Sequence, residues 1–197
     1  MKRILATLCL TALLINAEVC WSADFKKGLD AYNEGDYITA LREWKAAALR
    51  DDVRAQTSLG FMYYGGKGVP QDYEIAGEWY MLAAKQGDVN AQTIIATMFQ
   101  QGLGVKRDDK TALKWYGLAA AEGYTLAHWG LGCMYYYGQG VLKDDAQAYM
   151  WLSIAASSGH EQALNYTNHI AGLMTSPQLA AAKARASGCV VKNYKGC

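Results

Sequence analysis

The residue types that could act on a bound molecule are few, and their spacing suits little chemistry. The three histidines, His128, His160 and His169, stand 32 and 9 positions apart. That matches no i,i+4 pair on a helix and no Cys-x-x-Cys accompanies it, so no metal site is predicted. A Gly-x-Gly-Val occurs three times, at Gly66/Gly68, Gly102/Gly104 and Gly138/Gly140. A phosphate cradle would need a preceding strand and a third glycine, or a Gly-Lys-Ser/Thr ending, and neither is present. The doublets Asp108-Asp109 and Asp144-Asp145 could be read as the paired carboxylates of a hydrolase. Both fall at predicted helix starts, where the helix dipole accounts for them. Serine acyl-enzyme chemistry wants Ser-x-x-Lys. None of Ser58, Ser153, Ser157, Ser158, Ser176 or Ser187 has a lysine three residues on. The reading is a non-enzyme with no catalytic residue, no metal and no cofactor.

What the sequence does contain is a period. Ala55, Leu59-Gly60, Tyr63, Gly66-x-Gly68-Val69, Asp72, Ala76, Trp79-Tyr80, Ala83-Ala84 and Gly87 return 36 residues later. The second copy reads Ala91, Ala96, Phe99, Gly102-x-Gly104-Val105, Asp108, Ala112, Trp115-Tyr116, Ala119-Ala120, Gly123. The third reads Ala127, Leu131-Gly132, Tyr135, Gly138-x-Gly140-Val141, Asp144, Ala148, Trp151, Ala155-Ala156, Gly159, and no gap is needed. Such a period marks a solenoid whose unit buries its apolar face only by stacking on its neighbours. Within a copy, Ala55, Leu59, Met62 and Tyr63 keep helical spacing, and so do Ala76, Trp79, Tyr80 and Ala83. Two short helices per unit are predicted. Gly66 and Gly68 end the first, Asp72 caps the second and Gly87 stops it. Gly60 and Gly132, in mid-helix, are expected where two helices approach closely. Trp79, Trp115 and Trp151 are expected to pack.

This pattern resembles the Sel-one-like repeat family, relatives of the tetratricopeptide repeats, and the resemblance covers Phe25 to about Tyr166. It implies an all-α fold: a right-handed α-solenoid of antiparallel helix pairs, working through protein–protein contact. Some secreted, cysteine-rich relatives have been described as binding or slowly hydrolysing β-lactams. An envelope enzyme of that kind is therefore one alternative, and a periplasmic regulatory subunit of a membrane sensor is another. Those relatives carry a cysteine pair in each repeat, whereas the repeats here contain only Cys133.

The predicted order begins with a signal peptide, residues 1–22. Met1-Lys2-Arg3 is basic, Ile4 to Ile15 is an uncharged apolar run, and Cys20 and Ser22 supply small residues for cleavage. The run is shorter than the ~20 residues a membrane span needs; an uncleaved anchor is the alternative. Export to a Gram-negative periplasm, or secretion, follows. Without Lys2, Arg3 and Glu18 the chain keeps 17 basic and 17 acidic residues. It offers no basic field for nucleic acid. Residues 23–52 read as a tetratricopeptide-like capping repeat around Gly28, Tyr32, Gly35-Asp36 and Trp44. Repeats follow over 53–88, 89–124 and 125–160, and residues 161–197 hold capping helices and a tail. There Glu161 to Met174 forms one predicted helix, and Gln178 to Ala186 another after Thr175-Ser176-Pro177. In an oxidising compartment Cys189 and Cys197, on a non-helical tail, are expected to form a disulfide; two free thiols are the alternative.

Stepping 100° per residue around each first helix separates Ala55, Leu59, Met62 and Tyr63 from Thr57, Phe61 and Tyr64. The tetratricopeptide analogy places the latter set on a concave inner face. With its equivalents, the expected partner-binding residues are Tyr32, Phe61, Tyr64, Thr97, Gln100, Trp129, Tyr136 and Tyr137. The expected ligand is a protein or peptide segment laid in that groove by a monomer, since tyrosine and tryptophan are common anchors. Sideways packing of the same rings between turns is the alternative.

Overall fold

Aspartates open many of the helices, and glycines close the first helix of each repeat. In the computed structural model, which describes residues 25–197, ten helices follow one another and no strand occurs among the described residues. They are α1 (25–33), α2 (Tyr37–Ala48), α3 (Val53–Gly65), α4 (Tyr73–Lys85), α5 (Val89–Gln101), α6 (Asp109–Ala121), α7 (Thr125–Tyr137), α8 (Asp145–Ser157), α9 (Glu161–Leu173) and α10 (Ser176–Val191). The expected signal peptide, residues 1–22, lies outside the described residues. Asp72, Asp108 and Asp144 each accept from free N–H groups at the start of the helix that follows. The first helix of each repeat stops on a left-handed glycine: Gly66 (φ 65°), Gly102 (72°) and Gly138 (70°). These local rules turn the chain back every dozen residues, and packing does the rest.

The residues group into two compact units, one reaching to Ala83 and the other running from Ala84 to Cys197. In the first, Trp44 is the centre. It is 3% exposed, stacks with Tyr32 and Phe25, and donates its indole N–H to the Phe25 carbonyl at 3.2 Å. Gly28 lies against its face so closely that a Cβ there would come within 2.6 Å of the indole. Asp52, itself buried, accepts from the Arg54 and Ala55 amides and pairs with the Arg54 guanidinium at 2.8 Å. That guanidinium rests on the Phe25 ring, 4.4 Å from its centroid. Burial pushes the Asp52 carboxyl up, but the bonds from Arg54 and Ala55 outweigh it and hold the carboxyl below its ordinary value.

In the second unit α5 pairs with α6, α7 with α8, and α9 and α10 both pack on α8. Gly132 makes a tight approach: a Cβ there would fall 2.5 Å from Leu152 Cγ and 3.2 Å from its backbone nitrogen. Trp151 is buried as expected. Trp79 and Trp115 are half-buried, and their neighbours Tyr80 and Tyr116 go deeper. Cys189 and Cys197 are joined by a disulfide, with Cα atoms 5.5 Å apart. The expectation for this region needs one correction. The closing helix runs to Val191 rather than Ala186, so Cys189 sits within α10 and only Cys197 lies on the tail. Cys189 is 3% exposed in the core between α6, α7 and α8, and that burial holds the extra helical turn. The bridge folds the tail back: Tyr194 lies 4.8 Å from His128, and Lys195 pairs with Glu122.

One polar position recurs where the sequence reading saw nothing. Gln56, Gln92 and His128 stand 36 residues apart, are all buried, and donate to the carbonyls of Ala48, Ala84 and Ala120 at 3.3, 3.1 and 3.0 Å. Each adds a side-chain donor to a carbonyl at the end of the preceding second helix, which also accepts a turn amide, from Asp51, Gly87 and Gly123 in turn. A carbonyl only accepts, so His128 carries its proton on Nε2. Burial pushes its pKa down, against the bond to Ala120, which raises it.

Two predictions follow from this packing. Trp44→Ala should cost ~3–5 kcal/mol of unfolding free energy by urea denaturation of the full chain. His128→Gln should keep the carbonyl bond and remove a pH dependence. The unfolded chain protonates His128 near its ordinary 6.5 and the folded chain only at lower pH. This contribution to stability is therefore complete above that value and is lost as the pH falls below it. The wild-type melting temperature should drop more than that of His128→Gln between about pH 7.5 and about pH 5.5.

Candidate interaction surface

The first helices carry rings that pack partly on the edges of the cores and partly face outward. In the first unit, Phe61 is 49% exposed and meets Tyr32 edge-on with centroids 6.2 Å apart. Tyr32 also stacks on Trp44, so its ring is shared between surface and core. Tyr64 is half-buried and held edge-on by Tyr73 and Tyr80.

In the second unit Thr97 and Gln100 are drawn into an internal chain of hydrogen bonds. The Thr97 hydroxyl lies 2.8 Å from that of Tyr116, the Tyr116 hydroxyl donates to Gln100 Oε1, and Gln100 Nε2 donates to Gln139 at 2.7 Å. This chain links α5 and α6 to the loop after α7. Further along α7, Trp129 stacks on His160 at 4.7 Å and meets Tyr166 edge-on at 5.2 Å. Tyr136 touches Tyr137, Tyr166 and His169, and Tyr137 is 56% exposed. The structure thus brings Trp129, Tyr136 and Tyr137 into one aromatic cluster. Its further members, Tyr166 and His169 on α9, were missed by the sequence reading. They lie past Gly159, where the repeat pattern stops, so no equivalent position pointed to them.

The groups that could do chemistry are engaged elsewhere. The Ser153 hydroxyl donates to the Met150 carbonyl, and those of Ser157 and Ser158 to the Ile154 carbonyl. His160 Nδ1 caps α9 by accepting from the Ala163 amide. Among the described residues no group of three His, Cys, Asp or Glu side chains is placed to hold a metal ion, and no helix is long and apolar enough to cross a membrane. Cys133, beside this cluster, has its thiol pushed up to about 12 by burial.

A chain of antiparallel helix pairs with no strand among the described residues and an aromatic face on its first helices defines an α-solenoid repeat protein. Three Sel1 repeats match, over residues 53–88, 89–124 and 125–160, and the chain belongs to the Sel1 repeat family. That family is generally a non-enzymatic scaffold, and its repeats usually mediate protein–protein interaction. Two solved structures are similar. A Sel1 repeat protein from Oxalobacter formigenes is 29% identical with a TM-score of 0.66, over 71% of this chain and 57% of that one. The second, c5321, is a protective antigen present in uropathogenic Escherichia coli strains that displays an SLR fold. It is 24% identical with a TM-score of 0.54, over 88% of this chain and 47% of its own. This chain thus spans about half the length of both. No curated protein matches it.

The buried thiol gives a direct check on the packing of this face. Moving a thiol from its ordinary 9.0 to about 12 lowers its thiolate fraction at neutral pH by roughly a thousandfold. Cys133 should therefore react with Ellman's reagent at least about a hundredfold more slowly in the folded chain than in urea.

Proposed function

We propose that this chain is a non-catalytic adaptor of the bacterial cell envelope, a monomer that binds a segment of a partner protein on the outward faces of its first helices. The observation that carries the reading is the character of those faces. They present large rings with polar tips, while the nearby serine hydroxyls are bonded to the carbonyls of their own helix. Rings of this kind bury much area with few rotors to freeze, which makes them binding anchors. Envelope location is supported by the basic start and short apolar run of residues 1–22, and by the Cys189–Cys197 disulfide, which suits an oxidising compartment. The near-equal count of acidic and basic residues fits a protein ligand better than nucleic acid. Tyr32, Phe61 and Tyr64 in one unit, and Thr97, Gln100, Trp129, Tyr136 and Tyr137 in the other, are the proposed contacts.

A photo-reactive phenylalanine analogue at Phe61 or Tyr137 tests this in intact cells. Discrete adducts to one partner are expected there, and none from Leu82 or Leu118, exposed on second helices. With the partner in hand, joint alanine substitution of Tyr64, Trp129 and Tyr136 should weaken its binding by ~30-fold or more, with helicity checked by circular dichroism. An unchanged affinity would overturn the assignment.

A further inference from the structure

Between α7 and α9 lies an open recess of about 310 Å³ lined by Tyr136, Tyr137, Asn165, Tyr166 and His169. Its walls are set before any ligand arrives. The hydroxyls of Tyr137 and Tyr166 are 2.7 Å apart, tying a ring on α7 to one on α9. The Tyr136, Tyr137 and Tyr166 rings stand at 75–85° to one another, with centroids 4.9–6.4 Å apart. Trp129 braces Tyr166 edge-on and is itself stacked on His160, the residue that caps α9. A ligand entering here freezes little, which lowers the cost of binding.

The lining has an unusual chemical uniformity. No carboxylate, ammonium or guanidinium is among the five side chains, and no aliphatic one either. Each is a flat group with a polar tip, and each phenol, amide and imidazole can both donate and accept a hydrogen bond. An anionic ligand would find no cation among the five lining side chains, and Lys143, over the Tyr136 ring, is already paired with Asp145. A purely apolar one would strip water from polar tips to which it offers no hydrogen bond in return. The three tyrosine rings touch one another edge to face, so a proline ring has no slot between them. A methylammonium group would meet ring faces but would leave the amide and imidazole without partners. It would also compete with Lys143, whose ammonium already lies 5.4 Å from the Tyr136 centroid. A sugar matches both properties: its hydroxyls donate and accept, and its C–H faces lie against ring planes. The volume sits at the small end of ligand sites, about 300–1,000 Å³, which fits one hexose unit.

We propose that the α7–α9 recess binds a single neutral hexopyranose unit, free or at the end of a glycan. The site shares Tyr136 and Tyr137 with the partner surface but does not rest on that reading. The Tyr137–Tyr166 pair is the specificity element. One of the two hydroxyls gives its proton to the other, which leaves one O–H and the remaining lone pairs to meet adjacent sugar hydroxyls. The Tyr137 phenol is pushed up to about 12, first by this bond to Tyr166 and then by burial.

The test is a saturation-transfer and amide-shift NMR titration of the full chain with the methyl glycosides of glucose, galactose, mannose, N-acetylglucosamine and N-acetylgalactosamine. Tetramethylammonium and a polyproline peptide serve as comparison probes. At least one glycoside should show a saturable isotherm with shifts confined to α7 and α9. A Tyr137→Phe/Tyr166→Phe double variant keeps the ring faces and removes the tips, and should bind that glycoside roughly tenfold more weakly. A chain-length series of the same sugar separates a free monosaccharide, which would saturate alone, from a glycan end, which would gain affinity with length. Absence of a saturable shift for every glycoside would overturn the proposal, as would a double-phenylalanine variant that binds as well as wild type. A site saturated by tetramethylammonium or polyproline but by no sugar would do the same. Partner adducts at Phe61, on the other unit, are read separately, so the adaptor reading and the sugar site fail independently.

Discussion

A helix that ends must do something with its last carbonyls, and this protein answers the same way three times. Ala48, Ala84 and Ala120 stand at the ends of successive second helices, and each carbonyl accepts both a turn amide and a buried side chain eight residues on. Leaving such a buried side-chain donor unpaired in a dry interface costs ~1–3 kcal/mol, so its bond fixes where the next first helix must begin. The alanine-rich seams around it, Ala47-Ala48, Ala83-Ala84 and Ala119-Ala120, then allow the close contact that brings donor and acceptor together. Without that handover the helix pairs would have an apolar face but no register.

The glycine pairs complete the same logic from the other side. In each unit the second glycine of a Gly-x-Gly presses on the start of the second helix of the preceding pair. A Cβ on Gly68 would lie 2.2 Å from the Tyr37 Cβ, and one on Gly140 would lie 2.5 Å from the Asp109 carbonyl oxygen. The motif that invites a phosphate-binding reading is thus the point where neighbouring pairs touch. Its backbone approaches protein rather than ligand.

Much of this was legible because it is local. Asp72, Asp108 and Asp144 as caps, Gly66, Gly102 and Gly138 as stops, and the close approach at Gly132 each follow from the conformational preferences of one residue type. The Sel1 family was legible as a resemblance in the residues that recur at that period, and the all-α solenoid as what the resemblance implies. What escaped depends on partners distant in sequence. A helical wheel turns Thr97 and Gln100 outward, yet it cannot show that Tyr116 reaches both from the next helix. Gly188 and the two valines after Cys189 argue locally for an end to α10, and burial of Cys189 overrides them. The surface beyond Gly159 was invisible for the opposite reason: with no periodic echo, Tyr166 and His169 look like any other exposed polar residues.

The handover position is glutamine in two copies and histidine in the third, and the exception has a use. An imidazole is flat, so His128 can hold the Ala120 carbonyl while offering its face to Trp151, 5.5 Å away, and to Tyr194 of the disulfide loop. A glutamine could hold the carbonyl but would give the loop no plane to rest on. Anyone averaging the three copies into one idealised sequence, as is done when building synthetic arrays, would write glutamine there. The averaged protein would keep its stacking and lose the seat on which its own end is anchored.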